Sequence, residues 1–126
     1  MENKINSFAT SCYRIMLSIK RIDRVPNSTI YDMTKTKPLI QHVRLRQLNF
    51  LGHVLRMPED EPVSLYALYV SPHGRRRLGR QPTSYLQYVQ WLMGDGQITP
   101  RQLRQLAADR RNWRRLAVAY AAAERW

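Results

Sequence analysis

Residues 39–57 have the sequence LIQHVRLRQLNFLGHVLRM, and this stretch sets the expected architecture of the chain. Its apolar residues recur at steps of three and four, which is the spacing of one face of an α-helix. They are Leu39, Ile40, Val43, Leu48, Leu51 and Leu55. Pro58 follows and ends the helix, because proline lacks an amide hydrogen and disfavours helical geometry in the preceding residue. The spacing predicts a helix from about Leu39 to Met57.

Gly52 stands in the second half of this predicted helix. An interior glycine costs about 1 kcal/mol relative to alanine, so its presence needs a structural reason. The simplest reason is that a side chain here would block a neighbouring segment. We therefore expect another part of the backbone to pass close to Gly52.

Helical signals continue on both sides of this stretch. Upstream, apolar residues between about Ser7 and Ile22 share one helical stripe, and Asn27 or Ser28 can cap a short second helix. Downstream, residues 63–70 are expected to form another short helix, with Leu65, Leu68 and Tyr69 on its apolar side. The residues of the upstream stripe are Phe8, Cys12, Ile15, Met16 and Ile19.

The last third of the chain has clearer helix boundaries. Pro82 or Thr83 begins a helix that Gly94 ends. Thr99 opens the next helix with a capping box, and Asp109 caps the last one. No segment alternates apolar and polar residues as a half-buried strand would. The predicted fold is all-α, a small bundle of about five to seven short helices with an arginine-rich loop.

The chain of 126 residues divides into three parts by composition. Residues 1–70 form an N-terminal helical part that carries the GHVLRM helix, residues 71–82 a basic loop, and residues 83–126 the C-terminal basic helices. Such a length supports one small domain. The three parts are expected to form one compact unit or two small subdomains.

The charge is strongly positive, with 21 Lys and Arg against 9 Asp and Glu, a net charge of +12 and a pI near 10.7. This excess favours a polyanionic partner, of which nucleic acid is the commonest. An acidic membrane surface is a lesser alternative, since the sequence has no long apolar span. From residue 71 onward, the sequence has eleven arginines and only three acidic residues. The contact is therefore expected mainly in the C-terminal part.

Other functional classes fit the composition poorly. The single cysteine, Cys12, rules out an internal disulfide and a cysteine-based zinc site of the usual four-ligand kind. His42, His53 and His73 have no spacing that unites them in a metal site, so we expect neither a metal nor a cofactor. The N-terminus lacks the apolar core of a signal peptide. A nuclear or cytoplasmic location is expected rather than secretion or membrane insertion.

Four groups of short motifs follow one another in a fixed order along the chain. They are YRIMLSI at 13–19 with DRVPN at 23–27, GHVLRM at 52–57, GRRRLGR at 74–80, and DRRNWRRL at 109–116. Together they resemble the region C-terminal to the polymerase domain in non-LTR (LINE-type) retrotransposon reverse transcriptase proteins. The chain departs from that pattern at Arg21 and Tyr85, where tryptophan is usual, and at Gln81, where proline is usual.

The resemblance implies a segment that helps to hold template RNA or target DNA near the polymerase. It also allows the polymerase part of a parent protein as a partner. Catalysis by this chain is not expected, because a polymerase of that family needs paired aspartates for two metal ions and the five aspartates here are never adjacent. Two alternatives stay open: a protein-interaction module that packs on the polymerase, and a decayed fragment without a present role.

Twelve residues are candidate contacts to nucleic acid, because cationic side chains bind phosphate and arginine does so with two prongs. They are Arg44, Arg46, His53, Arg56, Arg75, Arg76, Arg77, Arg80, Arg110, Arg111, Arg114 and Arg115. Structural alternatives exist for several of them. His53 can pack beside Gly52, the loop arginines can be simply solvated, and the last-helix arginines can pair with acidic groups of a polymerase. Tyr85, Trp91 and Trp113 fit a core better than a base-stacking surface.

Overall fold

The computed structural model of the chain describes residues 2–69, 78–79 and 84–123. These residues contain seven α-helices, one 3₁₀ turn at Arg21–Asp23 and no strand. The prediction of a small all-α bundle of five to seven helices is confirmed. The helices are α1 Glu2–Met16, α2 Asn27–Thr34, α3 Leu39–Leu55, α4 Pro62–Ala67, α5 Tyr85–Met93, α6 Pro100–Ala108 and α7 Arg110–Ala122.

The chain divides into two compact units, Met1–Arg44 and Leu45–Trp126. We refer to them as the N-terminal unit and the C-terminal unit. Helix α3 runs through the division, so its first residues belong to one unit and the rest to the other. The sequence-based divisions at residues 70 and 82 fall beside stretches outside the described residues, and they stay predictions.

The N-terminal unit is built on α1 and α2. Ala9 and Thr10 of α1 and Ile30 of α2 are buried, and Arg14 Nη2 donates a hydrogen bond to Asn27 Oδ1 at 2.7 Å. Asn27 was expected as a possible cap of α2. Instead it is the first helical residue, preceded by Pro26 at the cap position, and its side chain is used to join α1 and α2.

The helix predicted between about Ser7 and Ile22 lies instead at Glu2–Met16, and most of its predicted apolar stripe within α1 is exposed. Phe8 is 68% exposed, and Ile15 and Met16 are each 78% exposed. The buried face of α1 is instead the one that carries Ala9 and Thr10. Periodicity identified a helix in this part of the chain, but it could not show that the short partner α2 covers only the side with small residues.

The C-terminal unit has a continuous hydrophobic core. Its buried members come from α3, α5, α6 and α7 and from the segments beside them. They are Leu48, Leu51, Leu55, Leu68, Val89, Leu92, Met93, Ile98, Leu103, Ala107, Trp113 and Ala117. The core therefore joins the second half of the GHVLRM helix to the last helix of the chain.

Gly52 lies where α7 crosses α3. A Cβ atom at this position would lie 2.5 Å from Cδ1 of Trp113 and closer still to its Nε1. The indole is buried, and its Nε1 donates a hydrogen bond to the Leu48 carbonyl at 2.8 Å. The close approach predicted for Gly52 thus occurs, but the neighbour is a side chain rather than a backbone segment.

Helix α4 uses a different face from the one expected. Leu68 is buried as predicted, whereas Leu65 and Tyr69 are 49% and 60% exposed. Ser64 is buried because Arg104 of α6 donates to its hydroxyl at 2.8 Å and to its carbonyl at 3.0 Å. The inward side of α4 thus carries a polar contact to α6 in place of the predicted Leu65.

The helix boundaries of the last third follow the sequence signals. Gly94 ends α5 with φ at 70°, a conformation that glycine adopts without strain. The Asp109 carboxylate caps α7 by accepting from the amides of Arg111 at 3.0 Å and Asn112 at 3.3 Å. Helix α5 begins at Tyr85 with Ser84 as its cap. Pro82 and Thr83, the predicted start, lie outside the described residues.

The capping box of α6 allows a test of whether Thr99 stabilises the start of this helix. Thr99 Oγ1 accepts a hydrogen bond from the Gln102 amide, and Gln102 Oε1 accepts one from the Thr99 amide. We expect Thr99→Ala to lower the free energy of unfolding by about 1 kcal/mol, the usual value of an N-cap. Urea denaturation measures it. Thr29→Ala, at an exposed position inside α2, is the control and should change stability by less than about 0.5 kcal/mol. Equal losses in both variants would contradict the assignment.

Candidate nucleic-acid interface

A surface depression lies between α3 and α7 of the C-terminal unit, and we call it the α3–α7 depression. Its volume is about 430 Å³. The packing of Trp113 against Gly52 brings the two helices together at its floor. The lining residues are Leu45, Asn49 and Arg56 from α3 with the segment after it, and Arg110, Trp113, Arg114 and Val118 from α7.

Arg56 is held at the edge of this depression. Its Nη1 donates a hydrogen bond to the Ala107 carbonyl at the end of α6, at 3.1 Å. Its Nε is buried and has no hydrogen-bond partner among the described residues. A buried donor without a partner costs about 1–3 kcal/mol.

Three positive charges converge on the α3–α7 depression. Burial lowers the pKa of the Arg56 guanidinium below its ordinary value, and the charges of Arg110 and Arg114 lower it further. Arginine nevertheless stays protonated at neutral pH. Within the described part of the chain, no carboxylate forms an ion pair with any of the three. An anion bound in the depression would therefore reduce the repulsion between these three guanidinium groups.

The other candidate cations flank this centre. Arg46 and His53 are exposed and lie two turns apart on α3, so helical periodicity sets them on one stripe beside Asn49. Arg111 and Arg115 are exposed and one turn apart on α7, next to the stripe of Arg110 and Arg114. Since His53 is exposed, the alternative in which it packs beside Gly52 is wrong.

Arg44 belongs to a different environment. It is only 4% exposed, and its Nη2 and Nε bond to the two carboxylate oxygens of Glu2 at 2.6 and 3.2 Å. This bidentate pair lies within the N-terminal unit, where it ties the start of α1 to α3. A guanidinium committed in this way is not free to bind phosphate, and we leave Arg44 out of the interface.

The loop arginines Arg75, Arg76, Arg77 and Arg80 lie outside the described residues. Their contact with phosphate stays a prediction. The described helices contribute the rest of the candidate set: Arg46, His53, Arg56, Arg110, Arg111, Arg114 and Arg115.

Three comparisons were made with known proteins. Protein-family models, curated proteins and solved structures yield no match.

Sequence reasoning missed the uncharged residues of the α3–α7 depression. Leu45 and Asn49 are one helical turn apart and lie on the same side of α3 as Arg56, while Val118 is one turn beyond Arg114 on α7. Charge alone did not single them out. Helical spacing from the arginines would have found them, but only once the two helices were known to be neighbours.

The three aromatic residues have different environments. Trp113 is a core residue, as predicted. Tyr85 and Trp91 are 45% and 44% exposed, and Trp91 stacks on Tyr88 with ring centroids 5.9 Å apart. The core interpretation is thus confirmed for Trp113 and wrong for the other two, because α5 turns only one side toward the core.

The described residues contain neither a candidate membrane span nor a candidate metal site. None of their helices combines the length and the apolar character that crossing a membrane requires. No group of three or more His, Cys, Asp or Glu side chains in this part of the chain is arranged to hold a metal ion.

Proposed function

We propose that this chain is a noncatalytic nucleic-acid-binding segment that holds RNA or DNA through phosphate contacts. One observation carries the proposal: Arg56, Arg110 and Arg114 surround one depression without a carboxylate partner among the described residues. Like charges brought together in this way favour a polyanion, and arginine matches phosphate geometry with two parallel donors. The net charge of +12 supports the same partner.

The proposed contact surface extends beyond the depression. Arg46 and His53 add charge on the α3 side, and Arg111 and Arg115 add it on the α7 side. We also propose the loop residues Arg75, Arg76, Arg77 and Arg80 as contacts, on the basis of sequence alone. Contacts of this kind position a nucleic acid without reading its bases.

The resemblance supports a specific origin for this activity. We propose that the chain derives from the post-polymerase region of a LINE-type reverse transcriptase protein. There it would help to hold template RNA or target DNA, and the polymerase part of the parent protein would be a second partner. The corresponding place of action is the nucleus or the cytoplasm.

Salt dependence tests the proposed mechanism. Each phosphate that is neutralised releases counterions, so the logarithm of the affinity falls with the logarithm of salt concentration by about 0.9 per duplex phosphate or about 0.7 per single-strand phosphate. We expect the quadruple variant of Arg110, Arg111, Arg114 and Arg115, each changed to Gln, to weaken binding and to flatten that slope by about two to three. Fluorescence anisotropy with a labelled oligonucleotide at several salt concentrations measures both.

The matched control removes the same charge from the N-terminal unit. Lys4, Lys20, Lys35 and Lys37 are exposed there, and each is changed to Gln. We expect this control to keep most of the slope and of the affinity. Equal losses in the two quadruple variants would show that only net charge matters, and an affinity independent of salt would contradict phosphate contact altogether.

A second candidate function is a protein-interaction module. It is favoured by the exposed apolar residues of the N-terminal unit, among them Phe8, Ile15, Met16 and Ile22, of which Ile22 is 82% exposed. Exposed apolar side chains that cluster on a small domain are typical of protein interfaces. Alanine in place of Arg75, Arg76, Arg77 and Arg80 together with Arg110, Arg111, Arg114 and Arg115 separates the candidates: a folded variant with unchanged affinity for nucleic acid would favour the interaction module.

A further inference from the structure

The α3–α7 depression is lined by apolar and amide side chains that a phosphate contact alone does not require. Arg56, Arg110 and Arg114 supply positive charge, whereas Leu45 and Val118 add apolar surface and Asn49 adds an amide. Phosphates of a duplex need only the cations, because the bases of a duplex are stacked away from such a surface. The remaining walls suit a ligand that joins an anionic group to a flat, largely apolar body with polar edges.

We propose that the α3–α7 depression receives one unpaired nucleotide of a single-stranded RNA or DNA. The phosphate lies against Arg56, Arg110 and Arg114, and the base enters between Leu45 and Val118. This inference rests on the proposed function and deepens it, since it names the form of nucleic acid that the same surface selects.

Size and chemistry agree with this occupant. The volume of about 430 Å³ lies within the range of roughly 300–1,000 Å³ that is found for small-ligand sites. A depression of this volume is too small for a duplex to enter. The amide of Asn49 offers two donors and one acceptor, the groups that an exposed base edge pairs with. Trp113 serves as the floor rather than as a stacking partner, because its ring is buried and only 2% exposed.

The electrostatics favour an occupied depression. Arg56 Nε is a buried donor without a partner in the described residues, and Arg56 repels Arg110 and Arg114. A phosphate diester brings acceptor oxygens and one negative charge to the guanidinium groups of Arg56, Arg110 and Arg114. With the phosphate held by these arginines, the attached base meets Leu45 and Val118, which line the same depression.

A blocking substitution tests the inference without changing charge. Val118 is 52% exposed on α7, so Val118→Trp can fill the depression while the helix is retained. Affinities are measured for a single-stranded RNA, a single-stranded DNA of the same sequence, and the corresponding DNA duplex. We expect Val118→Trp to weaken binding to at least one single strand by about tenfold, the size of the loss when a base loses a packing partner. Binding to the duplex should change less than about twofold.

The matched control is Val63→Trp, at a position of α4 that is also 52% exposed and does not line the depression. It should leave all three affinities unchanged, and thermal unfolding shows whether both variants are folded. A loss on one single strand only would still support the inference and would show which sugar is preferred. No loss on either strand, or an equal loss on strands and duplex, would overturn it while salt-dependent binding stands. Failure of the unmodified chain to bind any nucleic acid would instead overturn the proposed function.

Discussion

We expect Trp113→Ala to lower the free energy of unfolding by about 3–5 kcal/mol, the usual cost of truncating a buried large aromatic residue. Trp113 is 2% exposed and is the largest of the fully buried side chains. The substitution leaves a cavity between α3 and α7 and removes the hydrogen bond to the Leu48 carbonyl. Urea denaturation followed by far-UV circular dichroism measures the loss.

Two other substitutions separate the effect of burying the Trp113 ring from the effects of its hydrogen bond and of tryptophan truncation in general. Trp113→Phe keeps most of the buried ring and removes the indole donor, so it should cost clearly less than the alanine variant. Trp91→Ala truncates the same residue type at a position that is 44% exposed, and we expect it to cost less than half as much. If Trp91→Ala and Trp113→Ala were equally harmful, the packing of α7 on α3 would not be the main source of stability.

The second large effect concerns the glycine beneath this indole. We expect Gly52→Ala to lower the free energy of unfolding by about 1–3 kcal/mol, because the added methyl group overlaps a buried ring that is held by its hydrogen bond to the Leu48 carbonyl. This result would be opposite to the ordinary effect at a helix interior, where alanine is favoured over glycine by about 1 kcal/mol. The sign of the change therefore tests the contact directly.

A double-mutant cycle separates the overlap from other causes. In the Trp113→Ala background the obstructing ring is gone, and Gly52→Ala should become neutral or stabilising. Gly96→Ala is the control, since a Cβ there meets no atom within 4 Å. A penalty for Gly52→Ala that persists without the indole would mean that Trp113 is not the reason for the glycine.

This contact matters for the interface as well as for stability. Helical periodicity places Arg110 and Arg114 on the side of α7 adjacent to Trp113. When the indole seats on Gly52, these two arginines face the same depression as Arg56. Rotation of α7 by one residue would turn them about 100° away. The small residue of the GHVLRM motif thus aligns the charged residues that we propose as the phosphate site.

The sequence by itself determined the helical class, most helix boundaries and the basic character of the chain. These properties depend on local chemistry: three- and four-residue apolar spacing for α3, the Thr99 and Asp109 caps, and Gly94 at the end of α5. Each can be read within a window of a few residues. The same is true of the excess of arginine over acidic residues.

Only the tertiary structure decided which arginines act together. Arg44 and Arg56 both lie on the predicted helix, yet one is paired with Glu2 and the other joins Arg110 and Arg114 at the depression. Their surroundings come from residues more than 40 positions away in the sequence. Local periodicity gives the side of a helix on which a charge lies, but the partner on that side is chosen by the packing of distant segments. For this chain that packing centres on Trp113 against Gly52, a fit of shape that no local pattern encodes.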